Sequence, residues 1–144
     1  MHVVRIRLLA GHELVVHSAS AASIARLAAE GARVVVAELN AAAGEQTAQI
    51  VVQAGGDCIA VPTDVTQEDS VRAAVAKAVA HYGALHILHN NVGIGSAGTP
   101  ETLELAEWNN VFQANLTSAF LTCKACLPRM KASGGGSVIN VSST

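Results

Sequence analysis

The hydrophobic positions of this chain alternate between short continuous apolar runs and longer segments with a helical period. Continuous runs rich in valine and isoleucine are typical of strands that are buried on both faces of a parallel sheet. A further strand is expected somewhere within residues 1–17, where the pattern is least clear. The four clear runs lie at residues 32–39, 57–65, 84–89 and 137–141.

Three shorter segments of helical period and one longer segment separate these runs. The first helix is expected at about 21–30, with Ile24, Leu27 and Ala28 on its inner face and Gly31 as its C-terminal cap. Asn40 is expected to cap the second helix and Thr66 the third. The predicted buried stripes are Ala43, Thr47, Ile50, Val51 and Ala54 on the second helix, and Val71, Ala74, Val75, Ala78, Val79 and Tyr82 on the third.

The fourth helix is the longest, from about Leu105 to Met130, and it contains one polar residue where an apolar residue is expected. Asn115 lies within its apolar stripe, where a buried amide without partners would cost about 1–3 kcal/mol. Asn115 therefore either fastens a kink or a neighbouring loop, or serves an active site. The stripe consists of Val111, Phe112, Leu116, Ala119, Phe120, Cys123, Leu127 and Met130.

Strands that alternate with helices in this way predict right-handed βαβ units and a doubly wound parallel sheet, an α/β fold of the Rossmann-like class. One domain is expected over residues 1–144, with strand order 3-2-1-4-5. The last strand, 137–141, would then be an edge, although it is apolar on both faces and uncharged. The domain is therefore expected to be incomplete, truncated after the fifth strand.

Composition and charge exclude several other classes of protein. The net charge of −2 provides no basic surface for nucleic acid or for a membrane, and no apolar run reaches the roughly 18 residues of a membrane span. Three cysteines form no disulfide framework, so a cytoplasmic location is expected. Cys123 and Cys126 fit helix packing better than metal binding, and His86 and His89 point to opposite faces of a strand. No metal site is predicted.

Polar residues lie at the ends of three of the predicted strands, and each can have either a ligand-binding role or an ordinary structural role. Glu38 can accept hydrogen bonds from the ribose hydroxyls of a dinucleotide and repel a 2′-phosphate, or it is a solvated acid. Asp64, followed by Val65, can bind an adenine amino group or form an ordinary turn. The segment Asn90-Asn91-Val92-Gly93 permits close approach of a ligand and ties strands together, or it is a plain turn.

Taken together and in this order, these residues resemble the short-chain dehydrogenase/reductase family over about residues 24–144. The family has an aspartate and an apolar residue after the third strand, Asn-Asn-Ala-Gly after the fourth and an asparagine in the long helix. These positions are Asp64-Val65, Asn90 to Gly93 and Asn115 here. The resemblance also implies catalytic roles for Ser143, in "VINVSST", and for Asn115, whose counterpart in the family holds a water of the proton relay. It further implies a nicotinamide cofactor and an alcohol or carbonyl substrate. Glu38 favours NAD over NADP.

The sequence departs from the family in two places. The family's catalytic Tyr-x-x-x-Lys does not occur in these residues, since Tyr82 is the one tyrosine and no lysine follows it at that spacing. The family's glycine-rich motif is replaced by "HSASAAS", where Ser18, Ser20 and Ser23 offer amides and hydroxyls but no glycine freedom. Cofactor binding is therefore expected to be weakened, and the chain alone is expected to be inactive.

Two interpretations of the whole chain remain open from the sequence. The chain is either an incomplete oxidoreductase of this family or a non-catalytic Rossmann-type module that binds a nucleotide or a partner. A methyltransferase on a similar sheet is disfavoured by Asn115 and the paired asparagines. A homo-oligomer is expected through the 105–130 helix or the final strand, because Phe112, Leu116, Phe120 and Leu127 cannot all face one sheet.

Overall fold

A computed structural model describes residues 13–17 and 21–142. The described residues form five strands, five α-helices and one π-helical segment. No helix in these ranges is both long and apolar enough to span a membrane. The strands are β1 (Glu13–His17), β2 (Arg33–Glu38), β3 (Asp57–Pro62), β4 (Ile87–Asn90) and β5 (Ser137–Asn140). The helices are α1 (Ala21–Ala29), α2 (Ala41–Gln53), α3 (Glu68–Tyr82), α4 (Leu105–Phe112) and α5 (Ser118–Ala132), with the π segment at Gln113–Thr117.

The five strands form one parallel sheet in the order β3-β2-β1-β4-β5. This order confirms the prediction from the alternating pattern and makes β1 the central strand. Each crossover contains a helix, and the direction of the crossovers reverses at β1. In such sheets, ligands bind at the carboxyl ends of the strands, beside the point of reversal.

Apolar clusters cover the two faces of the sheet. On one face, Val15, Val35 and Leu88 pack against α3 and α5, where Ala78 and Cys126 are buried. On the other face, β2 and β4 pack against α1 and α2 in a second cluster: Ile24, Ala28, Ala32, Val34, Val36, Ala48, Val51, Cys58 and Ile87. The central strands are thus buried on both sides, as their continuous apolar runs predict.

The caps of the helices agree with the sequence prediction in two cases and differ in one. Asn40 caps α2 by accepting a hydrogen bond from the amide of Ala43 at 3.1 Å. Gly31, just after α1, has a φ of 90°, as a C-terminal cap requires. The prediction that Thr66 caps α3 is wrong, because α3 begins at Glu68 and the Thr66 hydroxyl bonds to the Asp64 side chain instead.

One of the predicted buried stripes is displaced around its helix. In α2 the buried residues are Gly44, Ala48 and Val51, so four of the five predicted positions do not lie among them. On the predicted long helix, Met130 is buried, whereas four large apolar residues are exposed, in agreement with the expectation that they cannot all face one sheet: Phe112, Leu116, Phe120 and Leu127. The stripe on α3 is correct except at Val79, which is partly buried. The buried residues of α5 are Ser118, Leu121, Thr122, Cys126 and Met130.

The predicted long helix and the final strand also differ from expectation. The helix is divided into α4 and α5 by the π segment, in which the Ser118 amide donates to the Gln113 carbonyl five residues earlier. The β5 strand forms the edge of the described sheet, as predicted, but it is largely exposed rather than buried. Its residue Val138 and the following Val141 are among the exposed large hydrophobic side chains.

Candidate functional site

The strand register brings the carboxyl ends of all five strands to one edge of the sheet. His17 of β1 pairs with Asn90 of β4, and Asn90 pairs in turn with Asn140 of β5. On the other side of β1, Glu38 pairs with Pro62. Side chains that follow these positions therefore converge on the same edge, which we call the carboxyl edge.

Glu38 lies at the carboxyl edge with its side chain partly exposed. One carboxylate oxygen accepts a hydrogen bond from the Asn40 amide at 3.0 Å, and this bond fixes the orientation of the group. Gly44 of α2 lies against it, and a Cβ added at Gly44 would be 3.2 Å from the Glu38 Cβ. The missing side chain of Gly44 thus lets α2 pack closely against Glu38. The second carboxylate oxygen has no hydrogen-bond partner among the described residues.

Asp64 lies in the turn between β3 and α3, beside the Glu38 position. Its Oδ1 accepts hydrogen bonds from the amide of Thr66 at 2.9 Å and from the Thr66 hydroxyl at 2.6 Å. Its own amide donates to the Ser70 hydroxyl at 2.9 Å. Asp64 therefore has the turn-forming role that the sequence allows, and its neighbour Val65 is buried against Val71.

Asn90 is buried at the end of β4 and bonds to two other elements. Its Nδ2 donates to Oδ1 of Asn140 at 2.9 Å, and its Oδ1 accepts from the Thr122 hydroxyl at 2.9 Å. The Asn90 carbonyl also accepts from the amide of Val141 at 2.9 Å. Asn90 thus ties β4 to β5 and α5, which is the strand-tying role that its sequence context predicts.

Asn115 in the π segment clamps the loop that follows β4. Its Oδ1 accepts from the Ile94 amide and its Nδ2 donates to the Ile94 carbonyl, both at 2.8 Å. The side chain is exposed, so the prediction of a buried amide is wrong, whereas the alternative that it fastens a neighbouring loop is correct. Gly93 lies beside the clamp, and a Cβ there would be 4.0 Å from the Asn115 oxygen.

A small cavity of about 50 Å³ brings several of these residues together. Four of the predicted site residues line it, whereas Glu38, Asp64, Asn91 and Gly93 do not. Asn91 and Gly93 lie in the loop that begins at the cavity. The lining residues are Val65, Asn90, Val92, Asn115, Ser118, Ala119, Thr122, Asn140 and Val141.

Residues 20–144 match the family described as short chain dehydrogenase. This match covers most of the chain and includes the carboxyl edge. The chain belongs to the short-chain dehydrogenase family. Its sequence is 39% identical over 123 residues to 2,5-dichloro-2,5-cyclohexadiene-1,4-diol dehydrogenase LinX of Sphingobium indicum, a match that spans 85% of this chain and 49% of that protein.

Two further relatives support this assignment. Trans-4-hydroxycyclohexanecarboxylate dehydrogenase of Sinomonas cyclohexanicum is 42% identical over 123 residues, which span 81% of this chain and 47% of that protein. A solved short-chain dehydrogenase/reductase from Burkholderia xenovorans is 37% identical, with a TM-score of 0.83 over 90% of this chain and 53% of that one. The chain thus spans about half the length of the relatives it matches.

The one tyrosine of this sequence lies away from the carboxyl edge. The Tyr82 hydroxyl donates to Asp57 at 2.9 Å, and Asp57 begins β3 at the opposite edge of the sheet. Burial and the Asp57 hydrogen bond raise the pKa of Tyr82 well above its usual value. The guanidinium of Arg33 lies over the Tyr82 ring, 5.4 Å from its centroid. The structure therefore gives Tyr82 a packing role.

Several residues at the carboxyl edge were not singled out by the sequence analysis. Thr122, Asn140 and Ser118 line the cavity, but each has the pattern of an ordinary helix or strand residue. Only the position of Asn140 could have indicated its role. It ends a parallel strand, as Asn90 does, and the two strands are neighbours in the sheet. The predicted Ser143, together with Ser18 and Ser20, lies outside the described residues.

Proposed function

We propose that this chain forms the cofactor-binding part of an NAD(P)-dependent short-chain dehydrogenase, an oxidoreductase that interconverts an alcohol and a carbonyl compound. One observation carries the proposal: Glu38, the Asp64-Val65 turn, the Asn90–Gly93 segment and Asn115 share the carboxyl edge of a doubly wound sheet. Ligands bind at this edge in sheets of this type, and the chain belongs to a family of dehydrogenases.

The residues present fit the adenosine half of a dinucleotide. The Glu38 carboxylate is oriented by Asn40 and has one oxygen free of partners within the described residues, so it can accept hydrogen bonds from ribose hydroxyls. A phosphate on the 2′ position would meet the same negative charge. NAD is therefore the proposed cofactor in preference to NADP, with Asp64 and Val65 beside the adenine.

The nicotinamide half would lie toward the Asn90–Gly93 segment. Bound nicotinamide supplies the hydride acceptor or donor, which is the chemistry of the reaction itself. Gly93 permits close backbone approach there, because a Cβ added at this position would meet only the Asn115 oxygen, at 4.0 Å. Ser143 is proposed to hydrogen-bond the substrate oxygen, and Asn115 to hold the loop that borders this region.

The substrate class is proposed from the two named relatives. One relative is named for a cyclohexadiene diol and the other for a hydroxycyclohexane carboxylate. Both names describe a hydroxyl group on a six-membered carbon ring. We therefore propose that the substrate is a secondary alcohol on such a ring, or the corresponding ketone.

These 144 residues alone are proposed to be inactive and to represent an incomplete domain. Their one tyrosine bonds to Asp57 at the opposite edge, so no tyrosine of this sequence can act as general acid or base at the carboxyl edge. General acid–base catalysis is typically worth 10²–10⁴-fold. The same observation favours a second candidate function, a non-catalytic module that binds a nucleotide.

Assembly and location are proposed on separate grounds. The exposed apolar residues of α4 and α5 favour a homo-oligomer through these helices or through β5. The three cysteines are free thiols, which favours a reducing compartment such as the cytoplasm.

Calorimetric titration with NAD, NADP and ADP tests the cofactor proposal. NAD should bind more tightly than NADP, and failure of all three to bind would refute the proposed function for this chain. Turnover should be measured separately with cyclohexanol and NAD. NADH formation that disappears in Ser143→Ala would refute the proposal that these residues are inactive alone.

A further inference from the structure

The π segment carries two side chains that reach two different loops. Residues two positions apart in a helix point to roughly opposite sides, because each residue turns by about 100°. Asn115 uses this geometry to clamp Ile94 in the loop after β4. Gln113 points to the other side, toward the turn after β3, and it is partly buried.

Gln113 binds the turn that carries Asp64 and Val65. Its Nε2 donates to the carbonyl oxygen of Thr66 at 2.9 Å, across 47 positions of sequence. The amide and hydroxyl of the same Thr66 donate to the Asp64 carboxylate. Gln113 therefore contacts the residue that orients Asp64, without contacting Asp64 itself.

Within the described residues, this is the one hydrogen bond that links the 64–67 turn to another element. The other hydrogen bonds of the turn stay within its own β3–α3 segment, as in the bonds from Asp64 to Ser70 and from Gln67 to the Asp64 carbonyl. Apolar contact between Val65 and Leu121 adds a second, non-directional link. Gln113 and Leu121 thus both contact the turn, and Gln113 supplies the directional contact.

We propose that Gln113 is a positioning residue for nucleotide binding, which holds the Asp64-Val65 turn in the orientation that receives adenine. The proposal rests on the proposed function, because it assumes that this turn borders the cofactor. Loss of a hydrogen bond of this kind typically changes an equilibrium by about two- to tenfold. The π segment would then hold both loops of the site, one through each side chain.

The test compares Gln113→Met, which keeps the length of the side chain but removes the donor, with Gln46→Met on the exposed surface of α2. The first measurement is amide hydrogen exchange of the unliganded chain at Thr66 and Gln67, with Val35 of the core as reference. The second is calorimetric titration with NAD and with ADP. A third variant, Gln113→Lys, restores a donor that can reach the Thr66 carbonyl.

We expect Gln113→Met to speed amide exchange at Thr66 and Gln67 and to leave the amide of Val35 protected. The binding of NAD and of ADP should weaken about three- to tenfold. Gln113→Lys should recover part of both effects, and Gln46→Met should show neither. Unchanged NAD affinity in Gln113→Met would overturn the proposal.

If the unmodified chain binds neither nucleotide, the proposed function fails, and the exchange rates alone decide whether Gln113 holds the turn. If Gln113→Met loses protection at Val35, Gln113→Lys decides in its place. Turn protection and NAD affinity that are at least partly retained support the proposal, and losses as large as those in Gln113→Met overturn it.

Discussion

Glu38 lies at a strand end, where its negative charge is proposed to favour NAD over NADP. One oxygen of its carboxylate accepts a hydrogen bond from the Asn40 amide at 3.0 Å, and Gly44 of α2 packs closely against its side chain. Both contacts favour one orientation of the charge. Discrimination by such a group acts through repulsion of the unwanted phosphate as well as through attraction of the ribose.

Reversal of this charge is expected to reverse the preference between cofactors. In Glu38→Arg, the guanidinium would attract a 2′-phosphate and lose the ribose hydrogen bonds, so NADP should bind more tightly than NAD. We expect a change of at least tenfold in the ratio of the two dissociation constants, measured by calorimetric titration. Glu45→Arg on the exposed face of α2 is the matched control for net charge. An unchanged ratio in Glu38→Arg would show that Glu38 does not border the 2′ position.

His89 is expected to make stability depend on pH. Burial lowers its pKa from the ordinary value of 6.5, and its Nδ1 has no hydrogen-bond partner within the described residues. As the pH falls below about 6.5, the unfolded chain therefore binds a proton that the folded chain resists, and stability is lost. In His89→Val this loss should be smaller. Urea unfolding at pH 7.5 and 5.5, with exposed His81→Val as control, measures the difference; equal losses in both variants would contradict it.

At the scale of the elements, Gly136 controls the entry into β5. A Cβ at this position would lie 2.3 Å from the carbonyl oxygen of His86, which accepts the hydrogen bond from the Ser137 amide at 2.8 Å. A side chain on Gly136 would therefore push β5 away from β4. Because the obstructing atom belongs to the backbone at the entry to β4, it cannot move aside as a flexible side chain would.

Gly136→Ala is therefore expected to destabilise the chain by more than about 2 kcal/mol, as overpacking against backbone usually does. Gly95→Ala is the matched control, because a Cβ at Gly95 meets no atom within 4 Å. That variant should stay within about 0.5 kcal/mol of the unmodified chain. The measurement is the urea midpoint of each protein, and equal midpoints would mean that the 133–136 turn moves freely.

The sequence predicts strands better than it predicts the faces of helices in this chain. The approximate boundaries of the strands follow from continuous apolar runs, which are typical of strands buried on both faces and so have no face to misassign. The strand order follows from the doubly wound class that the alternation of strands and helices predicts. The α2 stripe is misplaced because alanines on both sides of the helix make two faces nearly equal in hydrophobicity. On α5 the large side chains of Phe120 and Leu127 are exposed. The buried face holds Ser118 and Thr122 beside Leu121, Cys126 and Met130, and the two hydroxyls bond to backbone carbonyls one turn earlier.

The sequence locates several residues of the carboxyl edge and the kind of contact that Asn90 and Asn115 make, but not the partners of those contacts. The positions of Glu38 and Asn90 follow from the strand ends, which the apolar pattern locates. The two hydrogen bonds between Asn115 and Ile94 depend on the π segment. That segment is defined by a backbone hydrogen bond between residues five positions apart, and no periodicity in the sequence predicts such a bond. The Gln113 bond to Thr66 is hidden for the same reason, since it joins residues 47 positions apart.

At the scale of the whole molecule, large apolar side chains are exposed along α4, the π segment and α5. Phe120 and Leu116 are each 62% exposed, and the Trp108 and Phe112 rings lie 4.6 Å apart between their centroids. Lys124 approaches the Phe120 ring at 6.0 Å from its centroid. An apolar surface of this kind usually marks a contact with another chain or a liability to aggregate.

Phe120→Glu is expected to reduce self-association of the chain. The new carboxylate would place charge within the apolar surface, and it could pair with Lys124 four residues later without disturbing the helix. Light scattering after size-exclusion chromatography at tens of micromolar measures the mass. Ile50→Glu, at an exposed position of α2, is the matched control and should leave the mass unchanged. A monomeric unmodified chain would contradict the expectation.

The central position of β1 determines the order in which the sheet can form. The strand pairs on one side with β2, about 20 residues later, and on the other with β4, where Val15 faces Leu88 across 73 positions. During synthesis, β1, β2 and β3 can associate while β4 is still within the ribosome. Closing the long segment to β4 costs more chain entropy, and folding rates fall as such distant contacts increase. We therefore expect the half of the sheet that holds Glu38 to form first, and the half that holds Asn90 to assemble later.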